Sequence, residues 1–414
     1  MIKKKKSRKK LWAIVAVIFI FISSFYGNFD IDKGFQFYPD IAYAETEESD
    51  LEEEIEKEVG EQLSNLDFSE VETIVTKLST QAKNLFASNS FGEKVATIIS
   101  GEYVDNSQNF FSAVMSIFWE GLKGYLPIVG SIIAVSILGG MISNLKPITN
   151  GKSIGNIIQF VTYGVVIIFL GTALAQIITM TTSTLTNLKN MFDAIFPILM
   201  TLLTAVGGTV SVGIYQPAIA LLSNLIVSLM TYLLLPLFIF SMIFSLIGNI
   251  SNNVNLDKFV SFLQGTFKWT IGLCFTIFLG FVSIQGVMAG AVDGLSIRTA
   301  KYAIKSYVPV VGGYVSDGLS IITASSVLIK NAVGGVGLFL MLTSILSPII
   351  NLALFILSLK FMSGIIQPIG DKKTANFISD LAKSLSLLVA LLVAVSFMYT
   401  VMTGLVMCSA NLMV

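Results

Sequence analysis

Asp293, Arg298, Lys301 and Lys305 form the densest group of charges in the long apolar part of this 414-residue chain, within the run DGLSIRTAKYAIK. On a helix the three basic residues, three and seven positions apart, share one face. Asp317 and Lys330 carry the polarity further along. Charges inside an apolar region are expensive and mark a transport pathway or a docking contact. The plainer reading is an interfacial basic helix whose side chains snorkel to lipid headgroups, and the sequence leaves both open.

Other chemistry is excluded by what is missing. The chain has no histidine, so it has no Ser-His or Cys-His nucleophile and no imidazole for a zinc site. Cys274 and Cys408 both sit in apolar runs and read as small core hydrophobes. The G-K-S at Gly151-Lys152-Ser153 lacks the glycine that a phosphate loop needs five positions earlier, where Lys146 stands instead. No cofactor, catalytic centre or nucleic-acid partner is expected, and any energy must come from a partner or a gradient.

The elements that position these residues belong to a membrane. The chain is 54% hydrophobic and only 13% charged, with mean hydropathy +0.79, against about 25% charge in soluble domains. Long apolar runs occupy about 125–145, 156–180, 217–248, 266–290, 333–359 and 385–408, each matching the roughly twenty residues of a spanning helix. The formal net charge is zero because blocks of opposite sign cancel. Residues 1–44 carry eight Lys/Arg and three Asp, a net of +5; residues 45–120 carry seventeen acidic residues and four Lys, −13; the remainder carries +8.

The first block is a secretory pattern. Lysines and an arginine at 3–10 precede the apolar stretch Leu11 to Phe25, and Ala42-Tyr43-Ala44 is the only good small-x-small site. Residues 1–44 are therefore a signal sequence cut after Ala44 or a retained anchor, and either sends the next residues outward. Residues 45–106 are expected to be an acidic extracytoplasmic region. Its thin stripe of Leu51, Ile55, Val59, Leu63 and Leu66 suits a marginal, partner-dependent helix or a solvated spacer better than an independent domain. Residues 107–124, with Phe110, Phe111, Phe118 and Trp119, read as an amphipathic helix on the headgroups.

Residues 125–414 form the expected polytopic domain, with internal repeats at about 125–230, 231–340 and 341–414. A shift of 109 places Leu126-Pro127 on Leu235-Pro236, Gly139 on Gly248 and Ile168-Phe169-Leu170-Gly171 on Ile277-Phe278-Leu279-Gly280. The third copy is weaker: Pro348 lies 112 beyond Pro236, and Pro309 lies 112 beyond Pro197. Between the helix pairs, apolar arms close at Gly207-Gly208 and Gly312-Gly313. New arms are expected to open at Tyr215-Gln216-Pro217 and, capped by Ser316-Asp317, at Gly318, the latter stopping at Gly334-Gly335. Arms too short to span suggest re-entrant hairpins lining a transport route, or tilted helices of a structural bundle. Pro236 should kink its helix. An even number of crossings per repeat gathers Lys146, Lys152, Lys258, Lys360, Lys372, Lys373 and Lys383 on one side, which the positive-inside rule makes cytoplasmic; Arg298, Lys301 and Lys305 dissent. The fold class is thus all-α polytopic, with about six spans arranged as repeated helix pairs.

The run SIQGVMAGAVDGLSIRTAKYAIKSYVPVVGGYVSDGLSIITASSVLIKNAVGGVG, residues 283–337, closely resembles the stage III sporulation protein AE family, and FPILMTLLTAVGGTVSVGIYQPAIALL resembles the family's preceding segment. The resemblance covers about 125–414. It implies a multi-pass component of the channel joining mother cell to forespore, in the mother-cell membrane around the forespore. It also implies partners: other stage III sporulation membrane proteins, including ring-forming ones, and a secretion-type ATPase. Two alternatives stand beside this permease-like reading: an autonomous secondary transporter with Asp293 or Asp317 on a coupling ion, and a scaffold that only anchors partners.

Overall fold

The structure is a computed structural model describing residues 48–86, 90–101, 107–144, 152–250, 256–307, 312–370 and 372–409. The expected signal segment, Lys146 and Pro309 lie outside these residues, as do the side chains of Asp293, Arg298, Lys301, Lys305 and Asp317. The described residues are almost wholly helical and contain no strand. Four short helices come first: α1 Glu48–Ser64, α2 Ser69–Lys77, α3 Thr80–Phe86 and α4 Phe91–Ile99. The long helices follow: α5 Ser107–Asn144, α6 Lys152–Ala205, α7 Thr209–Leu229, a π-turn Met230–Leu234 leading into α8 Leu235–Ile250, α9 Asp257–Tyr307, α10 Gly312–Ile369 and α11 Lys372–Cys408.

Among the described residues six helical stretches are long and apolar enough to cross a membrane, and each of the six apolar runs falls in a different one. They form three successive helix pairs, α5–α6, α7/α8–α9 and α10–α11. The centre is α11, whose most apolar window is 61% buried against 11% for the corresponding window of α9. Leu385, Leu388, Leu391, Leu392, Val395 and Met398 are fully enclosed by the other helices. By contrast α9 turns Phe262, Trp269 and Ile277 outward, as lipid contact requires. The residues that the 109 shift pairs do not share burial: Leu170 is enclosed and Leu279 exposed, while Phe169 is exposed and Phe278 enclosed.

The expected helix breaks divide. At Gly207-Gly208 the break is real and follows from glycine's conformational freedom. Gly207 has φ 92°, its amide donates to Thr204 O at 2.8 Å, and the Gly208 amide donates to Leu203 O at 2.9 Å, the paired bonds of a left-handed helix stop. Gly312-Gly313 open α10, in keeping with a break before them. The remaining breaks are corrected. Pro197 lies inside α6, Pro348 inside α10 and Pro217 inside α7. Helix α10 also runs unbroken past Ser316-Asp317 and Gly334-Gly335. At Pro236 the helix continues through the π-turn, where Leu235 N donates to Met230 O five residues back. That widened turn relieves the ring's clash with the preceding turn.

The short arms are therefore extensions of spanning helices and not re-entrant hairpins. Helix α6 has 54 residues and α10 has 58, about 81 and 87 Å at 1.5 Å per residue. The segment at 107–124 is likewise continuous with the first apolar run in α5.

The acidic region is not a detached spacer. Val59, Val71, Val75, Phe86, Phe91 and Val95 join the same buried core as the long helices. The partner that this marginal segment requires is its own chain. Gln62 accepts from Ser326 Oγ at 2.8 Å, Gln81 accepts from Ser347 Oγ, and Lys94 stands 4.4 Å above the Phe86 and Phe339 rings. These anchors fasten α1, α3 and α4 along α10, while α2 packs against α6 and α4.

Candidate functional site

A buried polar seam runs between α6, α7, α10 and α11 at the end of the bundle that carries the acidic helices. Helix α7 presents Ser211, Tyr215 and Ser223 inward, all nearly inaccessible. They are four and eight residues apart, so they align on one face of an otherwise apolar helix. Tyr399 of α11 is also fully buried. Its hydroxyl donates to Ser223 O at 3.3 Å and lies 3.1 Å from Ser223 Oγ. Ser223 Oγ in turn donates to Asp193 Oδ1 at 3.3 Å, and Asp193 pairs with Lys189 one turn back on α6. A chain of polar contacts thus leads from the partly exposed Lys189–Asp193 pair to a hydroxyl at the core.

Lys330 holds a second polar group, which meets the same face of α7 at Tyr215. It is fully buried, and its ammonium donates to Ser409 O, the carbonyl just past the end of α11. Ser409 Oγ reaches Tyr215 Oη at 3.1 Å. A cation at a helix C-terminus faces the negative end of the dipole and satisfies carbonyls that the helix leaves open. Lys330 therefore ties α10 to the end of α11 and to α7.

The opposite end collects the tight connections. Tyr163 Oη donates to Leu246 O at 3.2 Å, a Cβ on Gly139 would meet Thr162, and one on Gly370 would lie 3.2 Å from Ser136 O. Lys152, Lys258, Lys372 and Lys373 belong to this end. The helix turns that carry Asp293, Arg298, Lys301 and Lys305 are the last of α9. Connectivity places them at the acidic end, together with the start of α10 that holds Asp317. Of the six sequence candidates, the structure brings Lys330 into the seam. Sequence reasoning missed Asp193, Ser223, Tyr215 and Tyr399; the signal available was the four-residue spacing of polar side chains on α7.

Among the described residues, no three His, Cys, Asp or Glu side chains are grouped as a metal site. A shallow notch lined by Phe262, Gly265, Thr266 and Trp269 faces outward on α9 and is apolar.

A family model described as stage III sporulation protein AE matches residues 89–410. The chain belongs to the stage III sporulation protein AE family. A similar protein, Stage III sporulation protein AE of Bacillus subtilis (strain 168), is 24% identical over 314 residues, covering 76% of this chain and 79% of the relative. No solved structure matches. The family match takes in α4, all six apolar stretches and the whole seam, and begins after α1–α3. This is a sporulation family with no enzymatic name, and its member here has the build of a multi-pass membrane protein.

Proposed function

We propose that this protein is a permease-like component of the channel complex that joins mother cell to forespore during endospore formation. The observation that carries the reading is the buried polar seam through Asp193, Ser223, Tyr399, Tyr215, Ser409 and Lys330 in a sporulation-family bundle with no nucleotide fingerprint. Polar groups in a bundle interior are retained where solute or conformational change passes. Work is then supplied from outside the chain, by a secretion-type ATPase and other stage III sporulation membrane proteins.

Its place is the mother-cell membrane around the forespore, and the charge distribution supports its orientation there. The lysine-bearing connections face the cytoplasm and the acidic helices face the space between the membranes. A hydrocarbon core of about 30 Å accommodates only part of α6 or α10.

The test uses purified protein in liposomes and spore counts in cells. Gradient-driven uptake without partners refutes the dependent-permease reading. Tyr399→Phe and Lys330→Met are expected to lower spore counts while membrane abundance stays unchanged. Unaltered counts in both variants would favour the scaffold instead.

A further inference from the structure

We propose that the first half of α5 pairs with the same half of a second copy of this chain, along a stripe of Phe111, Met115 and Phe118. The inference is independent of the permease-like reading and uses a face that the buried polar groups do not reach.

The stripe lies beyond the lipid and the fold leaves it open. Residues 124–144 of α5 hold no charge, and at 1.5 Å per residue they measure about 31 Å, the thickness of a hydrocarbon core. Just before them Glu120 accepts from Gln81 Nε2 of α3 at 2.8 Å. Ala113 and Ile117 cluster with Leu85 of α3, and Phe110, Val114, Leu346 and Ile350 pack around these three. At this level, then, the neighbours of α5 are α10 and a helix of the acidic region that also carries Lys83 and Asn84. Another side of the helix is bare: Phe111 is 66% exposed, Met115 40% and Phe118 37%. Phe118 and Trp119 are close enough to Glu120 to settle among headgroups, where aromatic rings collect. Phe111 is not. It stands about 13 Å beyond Glu120 along the helix, whereas the headgroup layer adds only about 5–8 Å on each side of the core.

The occupant that this side suits is another copy of itself. Copies in one membrane share an orientation, so a two-fold axis along the membrane normal sets two α5 helices parallel and in register. Phe111, Met115 and Phe118 follow one another at four- and three-residue steps, the spacing at which each residue of a parallel pair meets its own counterpart. The positions that border such a stripe hold Ser112, Val114, Trp119 and Gly121. In paired helices charges at these positions select or reject partners; here all four are uncharged, although residues 45–120 carry −13. An identical copy therefore meets no like charge along the contact, and a basic partner finds no carboxylate there to hold it. Three side chains from each copy bury less than the roughly 1,200 Å² of a stable soluble interface, so the pair depends on the membrane holding both copies upright.

The experiment uses the full chain in proteoliposomes, in a Cys274→Ser, Cys408→Ser background, with one cysteine added and copper phenanthroline as oxidant. A disulfide needs Cα atoms within about 7 Å of each other. Position 115 of a parallel pair meets that limit, whereas position 116, turned about 100° around the helix, does not. Met115→Cys is expected to form a disulfide-linked dimer at least about tenfold faster than Ser116→Cys, although both positions are exposed. Adding Phe111→Ser and Phe118→Ser removes most of the apolar contact and should slow the Met115→Cys reaction about fivefold or more, with thermal unfolding unchanged because both rings face outward. Equal rates at 115 and 116, or no dimer from Met115→Cys, would overturn the pairing. So would a Met115→Cys product that forms only in cell membranes and has the mass of a complex with a different protein. Each of these results leaves the permease-like reading standing, because cross-linking does not depend on transport.

Discussion

Replacing Gly139 by alanine tests the close approach of α5 and α6. A Cβ at residue 139 would lie 2.1 Å from Thr162 Oγ1, 2.7 Å from its Cγ2 and 2.9 Å from its Cβ. Turning the threonine side chain moves the first two atoms but not the third, so the collision cannot be removed by a rotamer change. Contact between two carbons is comfortable at about 3.5–4.0 Å. The helices must therefore separate by about 0.6 Å or more, in a place where Thr162 is only 7% exposed. Overpacking of this kind costs about 1–3 kcal/mol, offset by up to about 1 kcal/mol from the better helix propensity of alanine. The expected net loss is about 1–2 kcal/mol. Thermal unfolding of the purified protein in detergent measures it. Gly248→Ala, whose Cβ would meet Leu256 Cβ at an ordinary 3.4 Å, should be neutral or slightly stabilising. Thr162→Gly on the Gly139→Ala background moves the notch to the other helix and should restore most of the loss. If Gly139→Ala unfolds at the parent temperature, or if Gly248→Ala falls equally, the steric reasoning fails.

Tyr399→Phe should cost about 1 kcal/mol by deleting a buried hydroxyl that bonds to Ser223; a double-mutant cycle with Ser223→Ala in denaturant unfolding should show coupling, and strict additivity would argue against the seam as a connected network. Glu72→Ala removes three acceptor contacts at the start of α4 and should cost about 1–2 kcal/mol locally, seen as faster proteolysis within 68–99 and unchanged cleavage elsewhere. Lys94 of α4, half-buried over the Phe86 and Phe339 rings, has its pKa pushed down to about 8 by desolvation. The unfolded lysine holds its proton up to about 10.5, so unfolding takes up a proton between these values and docking of α4 strengthens as pH rises through 8 toward 10. Protease resistance of residues 68–99 should therefore be greater at pH 9.5 than at 7.5, and Lys94→Met should flatten that difference; a pH-independent parent would contradict the burial.

The spans were legible because twenty-residue apolar runs have few other uses, and the stop at Gly207-Gly208 was legible because a left-handed residue needs glycine. Other glycines and prolines misled for a physical reason. Gly334 is not a stop: a Cβ on it would meet Met407 Sδ at 3.0 Å, and one on nearby Gly337 would meet Ile195 Cδ1 at 3.0 Å. They bring α10 close to α11 and α6, a packing role that local sequence does not distinguish from a turn. Pro197 and Pro348 stay helical because neighbouring helices hold the chain on course, a tertiary effect that outweighs the lost hydrogen bond. The seam was illegible for a third reason. Asp193, Ser223 and Tyr399 belong to no motif, and Ser223 and Tyr399 are 176 positions apart; only the packing of α7 between α6 and α11 unites them.

The charge blocks gain a structural meaning from these contacts. Had the −13 segment been a solvated tail, its charge would have only repelled itself. Instead Gln62, Gln81 and Lys94 tie α1, α3 and α4 to one helix at Ser326, Ser347 and Phe339. The acidic surface is thereby docked at the end of the bundle where α9 carries Arg298, Lys301 and Lys305. Those three residues dissent from the positive-inside pattern only when each loop is counted by itself. Counted with the helices docked on the same end, eight acidic residues in α1 outweigh them, and that end keeps a net negative sign. The positive-inside rule acts on short segments near the membrane during insertion, whereas this balance exists only in the folded protein. The acidic helices therefore offset, in the folded protein, the basic end of α9 that the insertion rule counts by itself.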